Sequence, residues 1–306
     1  MNKEVYDTIV IGTGPAGISA SIYTARANLK TLLLGRPKEG ALYKAHVVAN
    51  YFGFDKDISG SELVERAMQQ TQRFGTKFIE CEVVSALGDY GSFTVKTADG
   101  KQFIGKTLII TSGKSYKILG AENEKELSGN GIHYCATCDG YFYKKKKVIV
   151  VGHGNLAAEE AMTLSSYTND ITIFSNGLDF QFSDFFQKEL KKMKIALRKE
   201  KIKRFLGKKE LEAVELGNGE TLKVDGVFMA LGRVSAINFA TKLGITTKNT
   251  DILIDRDGAT NVEGVFAGGN CTGGNAQAAN SVGEGTNAAL SVIKKLKGLT
   301  NYIDYN

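Results

Sequence analysis

With 306 residues, 42% of them hydrophobic, and 35 glycines, the chain is too long for one ordinary domain and can bury substantial cores between many tight turns. No apolar run reaches the length of a membrane span. Four cysteines, two of them isolated, do not make a structural disulfide framework. With no signal-peptide pattern ahead of the first strand, a cytoplasmic location is expected.

The first element is a short apolar strand, Asp7 to Ile11, of the kind buried in a parallel sheet. The turn Gly12-Thr13-Gly14-Pro15-Ala16-Gly17 follows, then a small-residue helix from Ile18 to Ala27 and a second strand, Thr31 to Leu34. A G-x-G-x-x-G inside a βαβ unit of about 30 residues is a dinucleotide fingerprint: glycines let the backbone approach a pyrophosphate, and the helix start offers free N–H groups. The acid that normally holds a ribose is missing, because the strand ends at Gly35-Arg36. Residues from Phe78 to Gly100 read as strands with a turn, and Leu108 to Gly113 as a buried strand ending in small residues.

Cys135-Ala136-Thr137-Cys138-Asp139-Gly140 lies about ten residues ahead of another strand, Lys147 to Val151. A Cys-x-x-Cys beside a βαβ unit reads as a redox disulfide, and a neighbouring carboxylic acid supplies a proton donor for a released thiolate. The alternative, half of a four-cysteine zinc site, needs a second ligand pair, whereas only isolated Cys81, Cys271, His46, His133 and His153 are present. No metal site is expected.

The strand Lys147 to Val151 runs into a second glycine turn, Gly152-His153-Gly154-Asn155-Leu156-Ala157, followed by a helix from Ala158 to Ser166 and a strand from Ile171 to Phe174. The net charge of +6 concentrates just beyond: Lys188 to Lys209 holds eleven Lys or Arg and two acids, a local +9 that leaves −3 for the rest. Such a run is either a solvated amphipathic helix or a docking patch for an acidic partner. With one aromatic and no binding motif it does not suit nucleic acid. Near the end, Gly264 to Asn270 reads as strand then turn and Gln277 to Leu290 as a helix. The repeated signature, offset by about 140 residues, predicts an α/β protein of two Rossmann-type three-layer domains, the second inserted into the first. Residues 1–114 and 239–306 are expected to form the outer domain and 115–238 the inserted one.

Taken together, Gly12 to Gly17, Thr111 to Gly113, Cys135 to Gly140, Gly152 to Ala157 and Gly264 to Asn270 closely resemble the low-molecular-weight thioredoxin reductases, in the right order over nearly the whole chain. The resemblance implies FAD in the outer domain, a redox disulfide on the inserted one, a homodimer, and thioredoxin as acceptor. By the same resemblance Gly12, Gly14, Pro15, Ala16 and Gly17 form the FAD pyrophosphate loop, Gly113, Gly269, Asn270 and Gln277 line the cofactor, and Cys135, Cys138 and Asp139 are the redox pair and its acid. Two family residues differ: Asn270 stands for an aspartate, and Ala276-Gln277 for an Arg-Gln pair. No membrane or nucleic-acid partner is expected.

A third departure bears on the electron donor. NADPH-using members follow the second glycine turn with a His-Arg-Arg cluster that holds the 2′-phosphate, since a doubly charged phosphate needs charge-assisted partners. Here no Lys or Arg occurs from Ile171 to Gln187, and Asp179 and Asp184 do. The second turn is thus either scaffold, a glycine joint between strand and helix, or a nicotinamide loop of unusual form. The pattern looks like the flavin-dependent ferredoxin–thioredoxin reductases, which implies ferredoxin as donor. A drop from about −400 mV for a plant-type ferredoxin to about −270 mV for thioredoxin is worth roughly 6 kcal/mol for two electrons. The rival readings are an NADH- or NADPH-dependent thioredoxin reductase, a reductase of another small disulfide protein, and a redox sensor without turnover.

Overall fold

The structure is a computed structural model that describes residues 4–113, 119–133, 136–231, 236–248 and 250–303, with the backbone alone at 137 and 138. The chain divides into two compact units, Met1–Thr97 with Lys101–Lys114 and Ser235–Asn306, and Ala98–Gly100 with Ser115–Val234.

The first unit begins with β1 (Val5–Ile11), α1 (Pro15–Arg26) and β2 (Thr31–Gly35). Pro15 occupies the first turn of α1, where its missing N–H costs nothing and its fixed φ suits the helix. Helix α2 (Gly60–Arg73) starts where Ser59 Oγ accepts from Glu62 N, and it buries Leu63, Val64 and Met68. The strands β3 (Lys77–Glu80), β4 (Val83–Asp89), β5 (Ser92–Thr97) and β6 (Gln102–Ile110) follow. β3, β2, β1 and β6 lie side by side in parallel, while β4 and β5 form an antiparallel excursion on β6.

The second unit carries β7 (Ile132–His133), α3 (Ala136–Asp139), β8 (Val148–Val151), α4 (Asn155–Leu164), β9 (Ile171–Phe174), α5 (Asp184–Lys192) and β10 (Ala196–Arg198). A meander of β11 (Ile202–Leu206), β12 (Ala213–Leu216) and β13 (Thr221–Lys223) leads to β14 (Gly226–Met229). Among the described residues the main sheet runs β10-β9-β8-β14-β7, all parallel. β8, Val-Ile-Val-Val, is buried along its whole length, as a central parallel strand must be.

The chain then returns to the first unit through α6 (Ala236–Leu243), the short pair β15 (Thr247–Lys248) and β16 (Asp251–Ile252), β17 (Val265–Ala267) and α7 (Ala278–Lys297). β6 pairs twice on one edge. Its first half takes β5 (Gly105 opposite Phe93), and its second half takes β17 (Leu108 opposite Val265). Each unit thus has a parallel sheet of Rossmann type.

Two expectations change. The basic run is not one helix. Helix α5 stops at Lys192, Lys194 turns into the left-handed region at φ 56°, and the chain continues as β10 and β11. In β11 the buried residues Ile202 and Phe205 face a core of Leu127, Ile149, Phe174 and Val214, which binds these residues to a sheet in spite of their charge. Helix α7 also runs past Leu290 to Lys297, closing with Gly298 at φ 65° as its left-handed cap. Among the described residues no helix is long and apolar enough to cross a membrane.

Candidate functional site

In the first unit, strand register assembles the site. Ile110 pairs with both Ile11 and Ala267, so Gly12, Thr111 and Gly268 leave the sheet side by side at the carboxyl ends of β1, β6 and β17. Ligands of open α/β sheets bind at that edge. The predicted residues Gly12, Gly14, Pro15, Ala16, Gly17, Gly113, Gly269 and Asn270 all sit on these turns, and Gln277 caps the start of α7.

The three glycines of the first turn are there for different reasons. Gly12 has φ 119°, and a Cβ there would lie 2.4 Å from Thr111 O. A Cβ on Gly17 would lie 1.8 Å from Gly12 O, so this glycine lets α1 close onto its own turn. Gly14, at φ −79°, has nothing within 4 Å of where its Cβ would stand. Its bareness serves no packing and leaves room for a ligand. The first i→i−4 bond of α1 runs from Ile18 N to Gly14 O, so the N–H groups of Ala16 and Gly17 precede the helical ladder. Ser112 Oγ is buried without a hydrogen-bond partner.

Glu284, on α7, was not singled out from sequence. Its Oε2 accepts from Gly269 N (2.7 Å) and Thr272 Oγ1 (2.8 Å), and its Oε1 accepts from Asn280 Nδ2 (2.8 Å), which ties the turn after β17 to α7. Asn270 lies within the same turn, with Ser281 Oγ at 3.5 Å from its Oδ1. Gln277 Oε1 accepts from Asn50 Nδ2 at 3.3 Å. Cys271 is fully buried, with burial pushing its thiol up to about 12, so it is a packing residue.

In the second unit, Cys135 and the Cys138 side chain lie outside the described residues. Glu160, buried on α4, accepts from Ala136 N at 2.6 Å and so fixes the backbone directly after Cys135. Asp139 Oδ2 lies 3.3 Å from His133 Nδ1, and His133 Nε2 lies 2.7 Å from Tyr143 Oη. Just beyond, Tyr141 and Phe142 are 60% and 67% exposed, an apolar pair fit for protein contact. Glu160→Ala should lower stability by about 1–3 kcal/mol, because Ala136 N–H would be left buried and unpaired. Glu160→Gln, whose amide oxygen can still accept, should recover most of it; thermal melts of both variants check this.

The second glycine turn meets the segment that follows β9. Gln181 N donates to His153 O (2.7 Å) and Ser183 N to Asn155 Oδ1 (2.8 Å). The stretch without cations is therefore fastened beside the turn, with Asp179 in it. Strand pairing brings in cations that sequence order hid. Arg198, paired with Phe174 at the end of β9, is held by Glu200 and Glu220, and Lys199 lies 2.8 Å from Asp179. Both positive charges are already matched by carboxylates.

Comparison with known proteins agrees with this geometry. The sequence profile of the pyridine nucleotide-disulphide oxidoreductases matches residues 6–285. The thioredoxin reductase of Listeria monocytogenes is 34% identical over 283 residues, covering 87% of this chain and 86% of that protein. Among solved structures, the atypical thioredoxin reductase TRi from Desulfovibrio vulgaris Hildenborough superposes with a TM-score of 0.92 at 36% identity, covering 97% of this chain and 100% of that one. A ferredoxin-flavin thioredoxin reductase from Clostridium acetobutylicum gives 0.71 at 28% identity, covering 97% and 100%. Proteins of this kind bind FAD. The first unit fits it: the bare Gly14, the unpartnered Ser112 Oγ and the open start of α1 suit a pyrophosphate and its attached groups. The chain belongs to the pyridine nucleotide-disulphide oxidoreductase family and, within it, to the thioredoxin reductases.

Proposed function

We propose that this thioredoxin reductase draws its electrons from a one-electron protein donor of the ferredoxin type and passes them through Cys135 and Cys138 to the disulfide of a thioredoxin. The observation that carries the donor assignment is the fastening of the cation-free segment to the second glycine turn, with Arg198 and Lys199 already matched by acids. A nicotinamide dinucleotide placed there would set its phosphates beside Asp179, with Lys201, whose side chain packs against Gly177, in place of the His-Arg-Arg cluster of NADPH-using members. The likeness to a ferredoxin-flavin thioredoxin reductase supports the same reading.

FAD, when bound, supplies the conversion between single-electron delivery and two-electron disulfide chemistry. The protein's residues do the rest. Gly12, Gly14, Pro15, Ala16 and Gly17 receive the pyrophosphate, and Gly113, Gly269, Asn270 and Gln277 line the remainder of the cofactor. The Cys135–Cys138 disulfide takes up two electrons and opens, and Asp139 gives a proton to one sulfur. One thiolate then attacks the acceptor's disulfide to form a mixed disulfide, and the other cysteine resolves it, releasing the reduced acceptor and restoring the pair. Lys188, Lys191 and Lys192, exposed and at helical spacing on α5, offer an acidic donor a basic face. The homodimer that the resemblance implies would draw on the open apolar groove of the first unit between Ile22, Tyr23, Leu42, Tyr51 and Val282.

An anaerobic titration tests the donor. Reduced ferredoxin should bleach the flavin absorbance within the dead time of hand mixing, and NADH and NADPH should leave it unchanged over minutes. Rapid bleaching by either nicotinamide would overturn the assignment.

A further inference from the structure

We propose that His133 is the positioning residue for the acid of the redox pair: through Nδ1 it aims the Asp139 carboxyl, and it is itself held in one tautomer by the Tyr143 hydroxyl. The proposal rests on the thioredoxin reductase reading above and assigns a role to a residue that composition would leave as one of three scattered histidines.

His133 is at the end of β7, two residues before Cys135, and its side chain is only 12% exposed. Its ring lies against Phe228 of β14, 5.4 Å between centroids, and meets Tyr143 edge-on at 5.3 Å. Packing therefore holds the imidazole plane, and both nitrogens have a partner: Asp139 Oδ2 at 3.3 Å from Nδ1 and Tyr143 Oη at 2.7 Å from Nε2. Burial pushes the His133 pKa down against the opposing pull of Asp139. Burial, with the charges of Asp139, Asp225 and Glu210, pushes the Tyr143 hydroxyl up to about 12. Lys146 Nζ, 5.3 Å from the centroid of the Tyr143 ring, is a cation nearby.

With the Tyr143 hydroxyl as donor to Nε2, a neutral imidazole carries its own proton on Nδ1. That N–H points at Asp139. The order is Tyr143 O–H to His133 Nε2, then His133 Nδ1–H to Asp139 Oδ2. An N–H of this kind fixes one oxygen of the Asp139 carboxyl and so its orientation. The other oxygen is left for the proton transfer. When the disulfide opens with two electrons, the Asp139 O–H bond breaks as one S–H bond forms. The carboxylate left behind is held by His133 until water returns the proton. The second sulfur remains as thiolate for attack on the acceptor.

The test uses the FAD-loaded protein and four variants: His133→Ala, His133→Asn, Tyr143→Phe and Asp139→Asn. Asn places an amide N–H close to where Nδ1–H stands, so it should keep the contact with Asp139. The first readout is the pH dependence of iodoacetamide alkylation after reduction with dithiothreitol, which needs neither donor nor acceptor. The second is the pH profile of kcat and KM for thioredoxin. His133→Ala should change the alkylation profile and lower kcat near neutrality about tenfold, with KM within twofold. His133→Asn should come back to within about threefold of the parent, and Tyr143→Phe should change both readouts in the same sense by less. Asp139→Asn should lower kcat at least as far as His133→Ala.

If the His133→Ala and parent alkylation profiles superpose, or if Asn fails to rescue while melting temperatures are equal, the proposal falls. Should His133→Ala not fold, an unshifted Tyr143→Phe profile would overturn it by itself. A shifted alkylation profile in a protein that reduces no thioredoxin would support the positioning role and count against the acceptor alone.

Discussion

Replacing either cysteine of the pair by serine is expected to lower acceptor reduction by at least about a thousandfold while leaving the yellow flavin spectrum intact. The loss is this large because the proposed cycle runs through the pair: a lone thiol can neither store two electrons as an opened disulfide nor resolve the mixed disulfide it makes. The two variants should not behave alike. The one that keeps the attacking sulfur should trap the acceptor as a stable mixed disulfide, visible as a dithiothreitol-sensitive shift on a denaturing gel. The other should trap nothing. This assigns the attacking cysteine directly. Near-parental turnover in both variants would instead favour a redox-sensing protein.

The second large effect is expected at Gly14. It has φ −79°, which any residue adopts, and open space where a side chain would project. Gly14→Val should therefore fold, with an unchanged far-ultraviolet spectrum, yet purify with at least about tenfold less flavin, because its methyl groups would occupy the place proposed for the pyrophosphate. Gly17→Val is the contrasting case. Its Cβ would stand 1.8 Å from Gly12 O, so the clash is with the protein itself and soluble yield should collapse. A flavin-replete Gly14→Val protein would show that the cofactor lies elsewhere.

The contrast between these glycines also marks how far the sequence could be read. The turn at Gly12 to Gly17 was legible because strand, glycine spacing and helix are all local, and so was the second turn at Gly152 to Ala157. Of the two readings of the basic run, the single helix fails: its composition favours a helix, while the burial of Ile202 and Phe205, which decides for strands, is a matter of distant partners. Arg198 and Lys199 reach the end of β9 only through pairing of β10 with β9, so a search along the chain for cations near the second turn missed them. Glu160, Glu284 and the chain from Tyr143 through His133 to Asp139 were hidden for the same reason. Each acts on a segment brought to it by folding, and none carries a local pattern. The proximity of His133 to Cys135 in sequence was the one available hint.

The double pairing of β6 has a consequence for the order in which the protein is made. The second unit is contiguous apart from Ala98–Gly100, and its last sheet strand ends at Met229. The half of β6 from Leu108 to Ile110, by contrast, must wait for Val265–Ala267 before its edge is covered. During synthesis the inner unit can finish while the outer sheet still has an open hydrophobic border, exposed for the time the ribosome needs to add these later residues. A nascent chain interrupted in that interval would present a completed inner lobe beside an unclosed outer one, a natural substrate for chaperones.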